Sequence, residues 1–347
     1  MKAAIKNPYL DTLGGGERYT VGVVKTLLDL GYKVDLEWED PSIVAKLEER
    51  FGTKLDGLEI IKDINRGDGY DVCFWVSDGS IPTLRSRKNI LHFQFPFHHI
   101  GGNNLLNKMK LFRVDHIICN SEFTKKIIDQ EYGVESLVIY PPIDLDKIKH
   151  KRKENIILYV GRFSNLVQSK GQDILINAFK EFCTGEKFND VKLDNWKLIL
   201  AGGTEVGVSD GLKSLKDLSK GFPIEFIENP KYSELCNLYG RARFFWSASG
   251  FGADEENNPE KLEHFGITTV EAMAGGAVPI VYNGGGQREI VKNNVNGILW
   301  SNQSDLVGET KKLINDTKIS FAMSKESRAS AEKFSYERFK EKIISII

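Results

Sequence analysis

Short apolar runs alternate with amphipathic stretches along the whole chain. The predicted strands of the first half cover residues 3–6, 33–37, 71–76, 89–95, 116–119 and 137–140. Those of the second half cover residues 155–160, 197–201, 224–227, 243–247 and 278–281. Helices are predicted between them, as over residues 17–30, where Val21, Val24 and Leu28 recur on one face. Such alternation is typical of parallel sheets that helices cover on both faces.

A basic, polar run divides the chain. Residues 147–153 follow the stop at Pro141-Pro142 and precede a strongly apolar strand, so we interpret them as a solvated linker. The predicted parts are an N-terminal Rossmann-like domain (1–146), a linker (147–154), a C-terminal Rossmann-like domain (155–325) and a helix (326–347) that returns to the first domain. Two doubly wound sheets joined by one linker predict a central cleft, with ligands bound beyond the carboxyl ends of the strands.

The composition excludes several classes of protein. The net charge of −1 over 347 residues provides no overall attraction to nucleic acid. The four cysteines are widely spaced, which argues against a zinc site and against a disulfide framework. The N-terminal apolar run is too short for a signal peptide, and no run reaches the roughly 18 residues of a membrane span. We therefore expect a cytoplasmic protein that is at most peripheral at the inner face of a membrane.

The stretch from Glu263 to Val281 carries the strongest chemical signal. Glu263 lies in a loop, Gly266 allows a sharp turn, and a helix begins at about Ile267 or Thr268 with Glu271 one turn in. Free N–H groups at a helix start favour an anion. A phosphate there, with hydroxyls reached by the two acids, would make a nucleotide-sugar site. An isolated pair of this kind would instead indicate a surface loop with solvated glutamates.

Two cations in the second half suit a diphosphate. Arg162 follows a strand in Gly161-Arg162-Phe163-Ser164, and Lys170 precedes a helix in Ser169-Lys170-Gly171. Arginine offers a planar fork and lysine a point charge. One such cation alone would be an ordinary exposed side chain, whereas the pair at a strand end and a helix start favours the phosphate hypothesis.

The first half offers weaker candidates. Gly14-Gly15-Gly16-Glu17-Arg18 opens the first long helix, where glycines permit close backbone approach to a phosphate or form a tight turn. The run is not G-x-G-x-x-G, which disfavours a dinucleotide oxidoreductase. His92 lies at a strand end among Phe93, Phe95 and Phe97, and the segment 105–113 is apolar with interleaved cations. That segment is compatible with a helix at a membrane interface or with an amphipathic helix packed on the sheet.

Taken together, these residues resemble the retaining GT-B glycosyltransferases of family 4, also called glycosyl transferases group 1. The resemblance covers nearly the whole chain. Its further motifs are Asn120-Ser121-Glu122-Phe123-Thr124, Tyr140-Pro141-Pro142-Ile143-Asp144 and Gly284-Gly285-Gly286. The motif His264-Phe265-Gly266-Ile267 is most similar to the corresponding motif of mannosyltransferases that build the lipid-linked oligosaccharide for N-glycosylation.

The resemblance implies roles for individual residues. Arg162 and Lys170 would bind the donor diphosphate, Glu271 the ribose hydroxyls and Glu263 the donor sugar. Further donor contacts would come from Gly15, Gly16, Phe265, Gly266, Ile267 and Thr268. His92 would face the donor sugar, although a passive histidine in an aromatic acceptor wall is an equal alternative.

The resemblance also implies a reaction. A hexose would pass from a UDP- or GDP-sugar to a sugar or lipid-linked glycan acceptor, with retention of the anomeric configuration. No cofactor or metal is expected, and Asp144-Leu145-Asp146 beside the linker is a poor metal site. Asp254-Glu255-Glu256 and His98-His99 are equally poor candidates. The alternatives are a nucleotide-sugar epimerase or a phosphorylase on the same fold, and a non-catalytic glycan-binding or scaffold protein.

Overall fold

The chain forms two compact units in the computed structural model, which describes residues 1–163, 170–184, 195–204 and 209–347. The first unit comprises Met1–Ile143 and Phe334–Ile347, and the second comprises Asp144–Lys333. The sequence predicts that the first domain ends at residue 146 and that a returning helix begins at residue 326. That stretch is not one helix, because one helix ends at Ala331 and the next starts at Tyr336. The strand expected from 155 begins at Glu154, inside the predicted linker.

The first unit contains a seven-stranded sheet in which every pairing is parallel, in the order β3-β2-β1-β4-β5-β6-β7. Its strands are β1 (Lys2–Lys6), β2 (Lys33–Glu37), β3 (Leu58–Ile61), β4 (Val72–Val76), β5 (Lys88–Phe93), β6 (His116–Cys119) and β7 (Leu137–Val138). Its helices before the linker are α1 (Gly15–Asp29), α2 (Ile43–Phe51), α3 (Leu105–Leu111) and α4 (Glu122–Tyr132). The central strand β1 is apolar and buried because helices cover both faces of such a sheet.

The second unit has a six-stranded parallel sheet in the order β10-β9-β8-β11-β12-β13. Its strands are β8 (Glu154–Val160), β9 (Lys197–Gly202), β10 (Ile224–Glu228), β11 (Ala242–Ser247), β12 (Val278–Tyr282) and β13 (Ile298–Trp300). Its helices are α5 (Gln172–Thr184), α6 (Ser209–Leu218), α7 (Tyr232–Arg241), α8 (Ile267–Ala274), α9 (Gln287–Ile290), α10 (Gln303–Asn315) and α11 (Thr317–Ala331). Aromatic side chains such as Trp246 and Phe179 fill its core.

The chain then returns to the first unit as α12 (Tyr336–Ile344). Phe339 meets the ring of Tyr19 on α1 edge-on, with 5.0 Å between ring centroids. Lys340 donates to Asp29 over 2.6 Å, which ties the far end of α1 to the same helix. The terminal segment is therefore part of the core of the first unit.

The predicted α/β class with two Rossmann-like parallel-sheet domains is confirmed. Sequence reasoning missed β3, a half-exposed edge strand without a clear alternation, and β13, three residues long in a region expected to be helical. The four cysteines are free thiols, and those at Cys73 and Cys119 are fully buried, as expected. Among the described helices, none combines the length and the apolar character needed to cross a bilayer.

Candidate active site

The site is centred on the start of α8, at the carboxyl edge of the second sheet. Gly266 adopts φ 115° and ψ 54°, a left-handed conformation that glycine reaches without strain, and it caps the helix. Its carbonyl accepts from the N–H groups of Thr269 and Val270 at 3.0 and 3.2 Å. The helix N–H groups before Thr269 precede the first intrahelical donors, so this end of α8 favours an anion.

An ion pair joins two of the predicted site residues. Lys170 Nζ lies 3.1 Å from Glu263 Oε2, and the side chains are 17% and 21% exposed. Burial alone would raise the pKa of Glu263, but the charge of Lys170 and hydrogen bonds from Lys170 and Ser249 outweigh it and hold the pKa below its usual value. Glu263 is therefore ionised at neutral pH and positioned by its partners.

Arg162 follows the end of β8 by two residues. Its carbonyl accepts from Gln172 Nε2 at 2.8 Å, which fixes the strand end to the start of α5. Burial raises the pKa of Tyr159 well above its usual value; the charge of Glu263 raises it further and that of Arg162 lowers it. Both charges therefore act on the hydroxyl of Tyr159, which is buried and has no hydrogen-bond partner within the described parts of the chain. Ser164 and Ser169 lie outside the described residues.

The second acid, Glu271, is held by α7. Its side chain is 3% exposed. Tyr239 donates to Oε2 at 2.8 Å and Tyr232 to Oε1 at 3.3 Å. The bonds from the two tyrosines occupy both carboxylate oxygens and fix the orientation of the acid.

The residues between the two acids are fixed by backbone contacts. Gly286 donates to the carbonyl of Glu263 at 2.8 Å, which joins the glycine turn before α9 to the loop. His264 Nε2 lies 3.1 Å from the carbonyl of Glu260, and burial lowers the pKa of His264 to about 4. Phe265 is buried. The loop is thus held rigidly next to the start of α8.

In the first unit, the glycine run forms the start of α1. Gly14 caps the helix, and Glu17 Oε2 accepts from the Gly14 N–H and from the Thr12 hydroxyl, each at 2.7 Å. The amide of Gln94 packs on Gly16, where a Cβ would come within 2.0 Å of Oε1. The packing of Gln94 therefore explains why this position holds a glycine: a larger residue would clash. A contact of Gly15 and Gly16 with phosphate stays a prediction.

His92 is fully buried on β5. Its Nδ1 lies 3.3 Å from the carbonyl of Ile118, and its ring stacks on Tyr19 with 4.0 Å between centroids. Burial lowers the pKa of His92 to about 3, so the ring is neutral at physiological pH. The structure places it in the core of its unit, and its predicted role in catalysis stays a prediction.

The acidic runs that sequence reasoning rejected as metal sites contact cations within the chain. Asp144 pairs with Lys147 at 2.7 Å, and Glu255 pairs with Arg288 at 2.7 Å. Asp254 accepts from the following backbone N–H groups of its own turn. In the described ranges, no three His, Cys, Asp or Glu side chains are grouped as metal ligands.

Sequence reasoning missed the residues that support the site. Tyr232 and Tyr239 donate to Glu271, and Ser249 hydrogen-bonds to Glu263. Tyr159 makes no such bond, but the charge of Glu263 acts on its hydroxyl. The one available signal was position, because Tyr159 and Ser249 lie near strand ends at the carboxyl edge. Tyr239 lies within a helix, and nothing local marks it.

Several known proteins are similar to this chain in sequence or in fold. An uncharacterised glycosyltransferase of Methanocaldococcus jannaschii is 25% identical, over 97% of this chain and 95% of that protein. The human GDP-Man:Man(3)GlcNAc(2)-PP-Dol alpha-1,2-mannosyltransferase is 25% identical over 84% of this chain, which spans 58% of that protein. The structure of Anabaena Alr3699/HepE in complex with UDP and glucose superposes with a TM-score of 0.75 and 18% identity, over 99% of this chain and 98% of that one.

That superposition supports the fold alone, and the fold is GT-B. The family model of the glycosyl transferases group 1 matches residues 142–330, more than half of the chain and all of the site in the second unit. This chain therefore belongs to the glycosyl transferases of group 1 and is a glycosyltransferase, similar to mannosyltransferases of lipid-linked oligosaccharides.

Proposed function

We propose that this glycosyltransferase transfers a hexose from a UDP- or GDP-sugar to a sugar or lipid-linked glycan acceptor, with retention of the anomeric configuration and without a metal. The observation that carries the proposal is the arrangement around α8. A helix start that favours an anion lies between Glu263, which is paired with Lys170, and Glu271, which is held by two tyrosines.

The charges of the second unit match the parts of a nucleotide-sugar. Arg162, Lys170 and the start of α8 are proposed to bind the diphosphate, with backbone contacts from Phe265 to Thr268. Glu271 would accept the ribose hydroxyls. Glu263 would accept hydroxyls of the donor sugar. Lys170 would then be shared between Glu263 and the diphosphate.

The proposed chemistry follows from this placement. As the C–O bond between the sugar and the nucleoside diphosphate breaks, negative charge grows on the departing phosphate. Arg162, Lys170 and the helix start would stabilise this charge, which would lower the barrier. The sugar becomes oxocarbenium-like, and the acceptor hydroxyl attacks from the face that the diphosphate leaves.

We do not assign Glu263 as a nucleophile. Its carboxylate is paired with Lys170, and its pKa is held below the usual value. A retaining hydrolase uses two carboxyl groups, one of them an acid of raised pKa, on either side of the bond. Here the loop acid and the helix acid Glu271 lie on either side of a helix start that suits phosphate. His92 in the first unit stays a predicted catalytic residue.

The comparisons support both nucleotides. The human relative is named for GDP-mannose and a dolichol-diphosphate-linked glycan, and the Anabaena structure holds UDP and glucose. A thermal-shift panel of UDP, GDP, ADP and their hexose conjugates separates the possibilities. At about a hundred times its dissociation constant, a ligand stabilises the native state by about 2.7 kcal/mol. We expect stabilisation by UDP or by GDP.

Variants locate the binding. Arg162→Ala and Glu271→Gln are expected to abolish the shift. Arg241→Ala is expected to keep it, because it breaks the exposed pair with Glu154 where β8 and β11 begin, at the sheet edge opposite the start of α8. A panel without any stabilising nucleotide would contradict the proposal and favour a scaffold protein. A shift that survives in both site variants would place the nucleotide elsewhere.

Turnover tests the rest of the proposal. With the stabilising nucleotide-hexose and a glycoside acceptor, the proton spectrum of the product reports the anomeric configuration, and we expect that of the donor. EDTA is expected to leave the rate unchanged. Isomerised donor in the absence of acceptor would indicate an epimerase instead.

A further inference from the structure

One segment of the first unit exposes large apolar side chains. Between β5 and β6, residues 100–113 include Ile100, Leu105, Leu106, Met109 and Phe112. Their exposed fractions are 49%, 76%, 61%, 66% and 94%. Five large hydrophobic residues this exposed within fourteen positions form a patch of the kind that marks an interaction site. We call this segment the apolar patch.

The helix in the patch has its apolar face turned outward. At about 100° per residue, Leu105, Leu106, Met109 and Phe112 fall within roughly 120° of the helix circumference. On the opposite side, Leu111 packs against a small core cluster of the unit. A helix that merely packs on a sheet turns its apolar face inward. The four side chains therefore face solvent because of how the helix is seated.

The surrounding loop is held in place. Glu131 on α4 accepts from the backbone N–H groups of His99, Ile100 and Gly102 at 2.8, 3.2 and 2.7 Å. The side chain of Asn104 caps α3 by accepting from the N–H of Asn107 at 2.9 Å. The patch is thus a supported surface, built by side chains that anchor the loop and the helix start.

Its charges all have one sign. Lys108, Lys110 and Arg113 flank the apolar face, and no acidic residue occurs between Ile100 and Val114. Lys108 and Arg113 are exposed, and Lys110 is half-buried. An apolar face with cations along its margins matches the chemistry of an anionic bilayer surface, where apolar side chains enter the acyl boundary and cations meet lipid phosphates.

We propose that residues 100–113 are a membrane-docking surface that seats the first unit on a bilayer containing anionic lipids. The patch would hold the carboxyl end of β5 close to the bilayer, which is where a lipid-linked acceptor is found. Docking itself requires neither donor nor acceptor, so it stands independently of the proposed transfer reaction.

The test is co-sedimentation of the full chain with vesicles. We expect binding to vesicles of phosphatidylcholine with phosphatidylglycerol. In vesicles of phosphatidylcholine alone the affinity should fall at least about tenfold, since each basic residue near an anionic surface contributes roughly fivefold. Met109→Ser with Phe112→Ser should abolish sedimentation, and Lys108→Gln with Lys110→Gln should lower the affinity about tenfold or more.

A matched control comes from the second unit. Ile319 and Phe321 on α11 are exposed to 53% and 74%, and Ile319→Ser with Phe321→Ser removes a similar amount of exposed apolar surface. This double variant should bind vesicles as the wild type does. The changed side chains are exposed except for the half-buried Lys110, which is replaced by another polar side chain, so each variant should keep the wild-type thermal midpoint.

Three outcomes overturn the proposal. Absence of vesicle binding by the wild type is the first, and equal loss in the α11 control is the second. The third is a dimer, seen by sedimentation velocity without vesicles, that the Met109/Phe112 variant dissolves; it would assign the patch to a second copy of the chain. Nucleotide stabilisation is measured without lipid, so failure of docking and failure of the transfer reaction are distinguishable.

Discussion

The carboxyl edges of the two sheets differ in chemistry although the folds are alike. In the second unit, opposite charges and hydroxyls surround the start of α8, as in the Lys170–Glu263 pair and the bonds from Tyr239 to Glu271. In the first unit, the matching edge has a helix start at which Gly16 packs against Gln94, and a neutral, buried His92. Rossmann-like folds thus acquire function from what the loops carry. Under the proposed function, the second unit would recognise the anionic part of the donor.

The largest expected effect comes from Lys170→Met. Loss of a preorganised cation should lower kcat/KM by about 10²–10³, because departing phosphate loses its partner and Glu263 keeps a half-buried charge. Steady-state kinetics with the preferred donor measures it. The control is Lys216→Met, which breaks the exposed pair with Glu228 and should change kcat/KM less than twofold. Equal effects of the two changes would refute the special position of Lys170.

His92→Phe tests the first unit through the pH dependence of stability. Burial lowers the pKa of His92 to about 3. Below about pH 6.5 the unfolded chain therefore binds a proton at His92 that the native state does not bind, so the free energy of unfolding decreases as the pH falls. Between pH 7 and pH 5 this costs about 2 kcal/mol, which the phenylalanine variant should not lose. Urea unfolding at both pH values measures the difference.

The same variant tests the predicted catalytic role of His92. A large fall in kcat, with unchanged stability at pH 8, would show that the histidine acts on the substrate. An identical acid sensitivity in wild type and variant would contradict the burial argument.

Sequence patterns sufficed for the architecture because parallel strands buried on both faces form continuous apolar runs. The central strands β1, β8 and β11 were predicted to within one residue or two. The edge strands were harder to predict from the sequence, because β3 is half-exposed and β13 has only three residues. Each is defined by its pairing with one neighbouring strand, β2 or β12.

The parts of the candidate site that lie close together in sequence could be predicted, whereas those that depend on contacts between distant residues were missed. Glu263, Gly266 and Glu271 lie within nine positions, so their relation to a helix start could be inferred. The bond from Tyr239 to Glu271 joins residues 32 positions apart, and only the packing of α7 against α8 brings them together. The burial of His92 likewise depends on Tyr19, a helix residue far away in sequence.

A smaller effect is expected from the tyrosines that hold Glu271. Tyr239→Phe removes a buried 2.8 Å hydrogen bond to a carboxylate, and should lower the free energy of unfolding by about 1.5 kcal/mol. It should also raise the dissociation constant of the nucleotide about fivefold, because Glu271 loses its orientation. Tyr232→Phe, whose bond is 3.3 Å and half-buried, should have less than half of this effect. Calorimetry and denaturant titration measure both, and a larger effect at Tyr232 would contradict the geometry.

The smallest effect compares one buried hydroxyl in each unit. Tyr19 and Tyr159 are each 1% exposed, and both hydroxyls are without a hydrogen-bond partner in the described residues. A buried, unpaired polar group destabilises the native state, so Tyr19→Phe and Tyr159→Phe should each raise the free energy of unfolding by about 1 kcal/mol.

Nucleotide affinity should separate these two variants. The charges of Glu263 and Arg162 both act on the hydroxyl of Tyr159, so its removal should alter the electrostatics of the site and weaken binding about threefold. Tyr19 packs against Phe339 and His92 in the first unit, and its variant should bind the nucleotide unchanged. Equal affinities in both variants would make Tyr159 a core residue like Tyr19, and would restrict donor recognition to the charged side chains and Glu271.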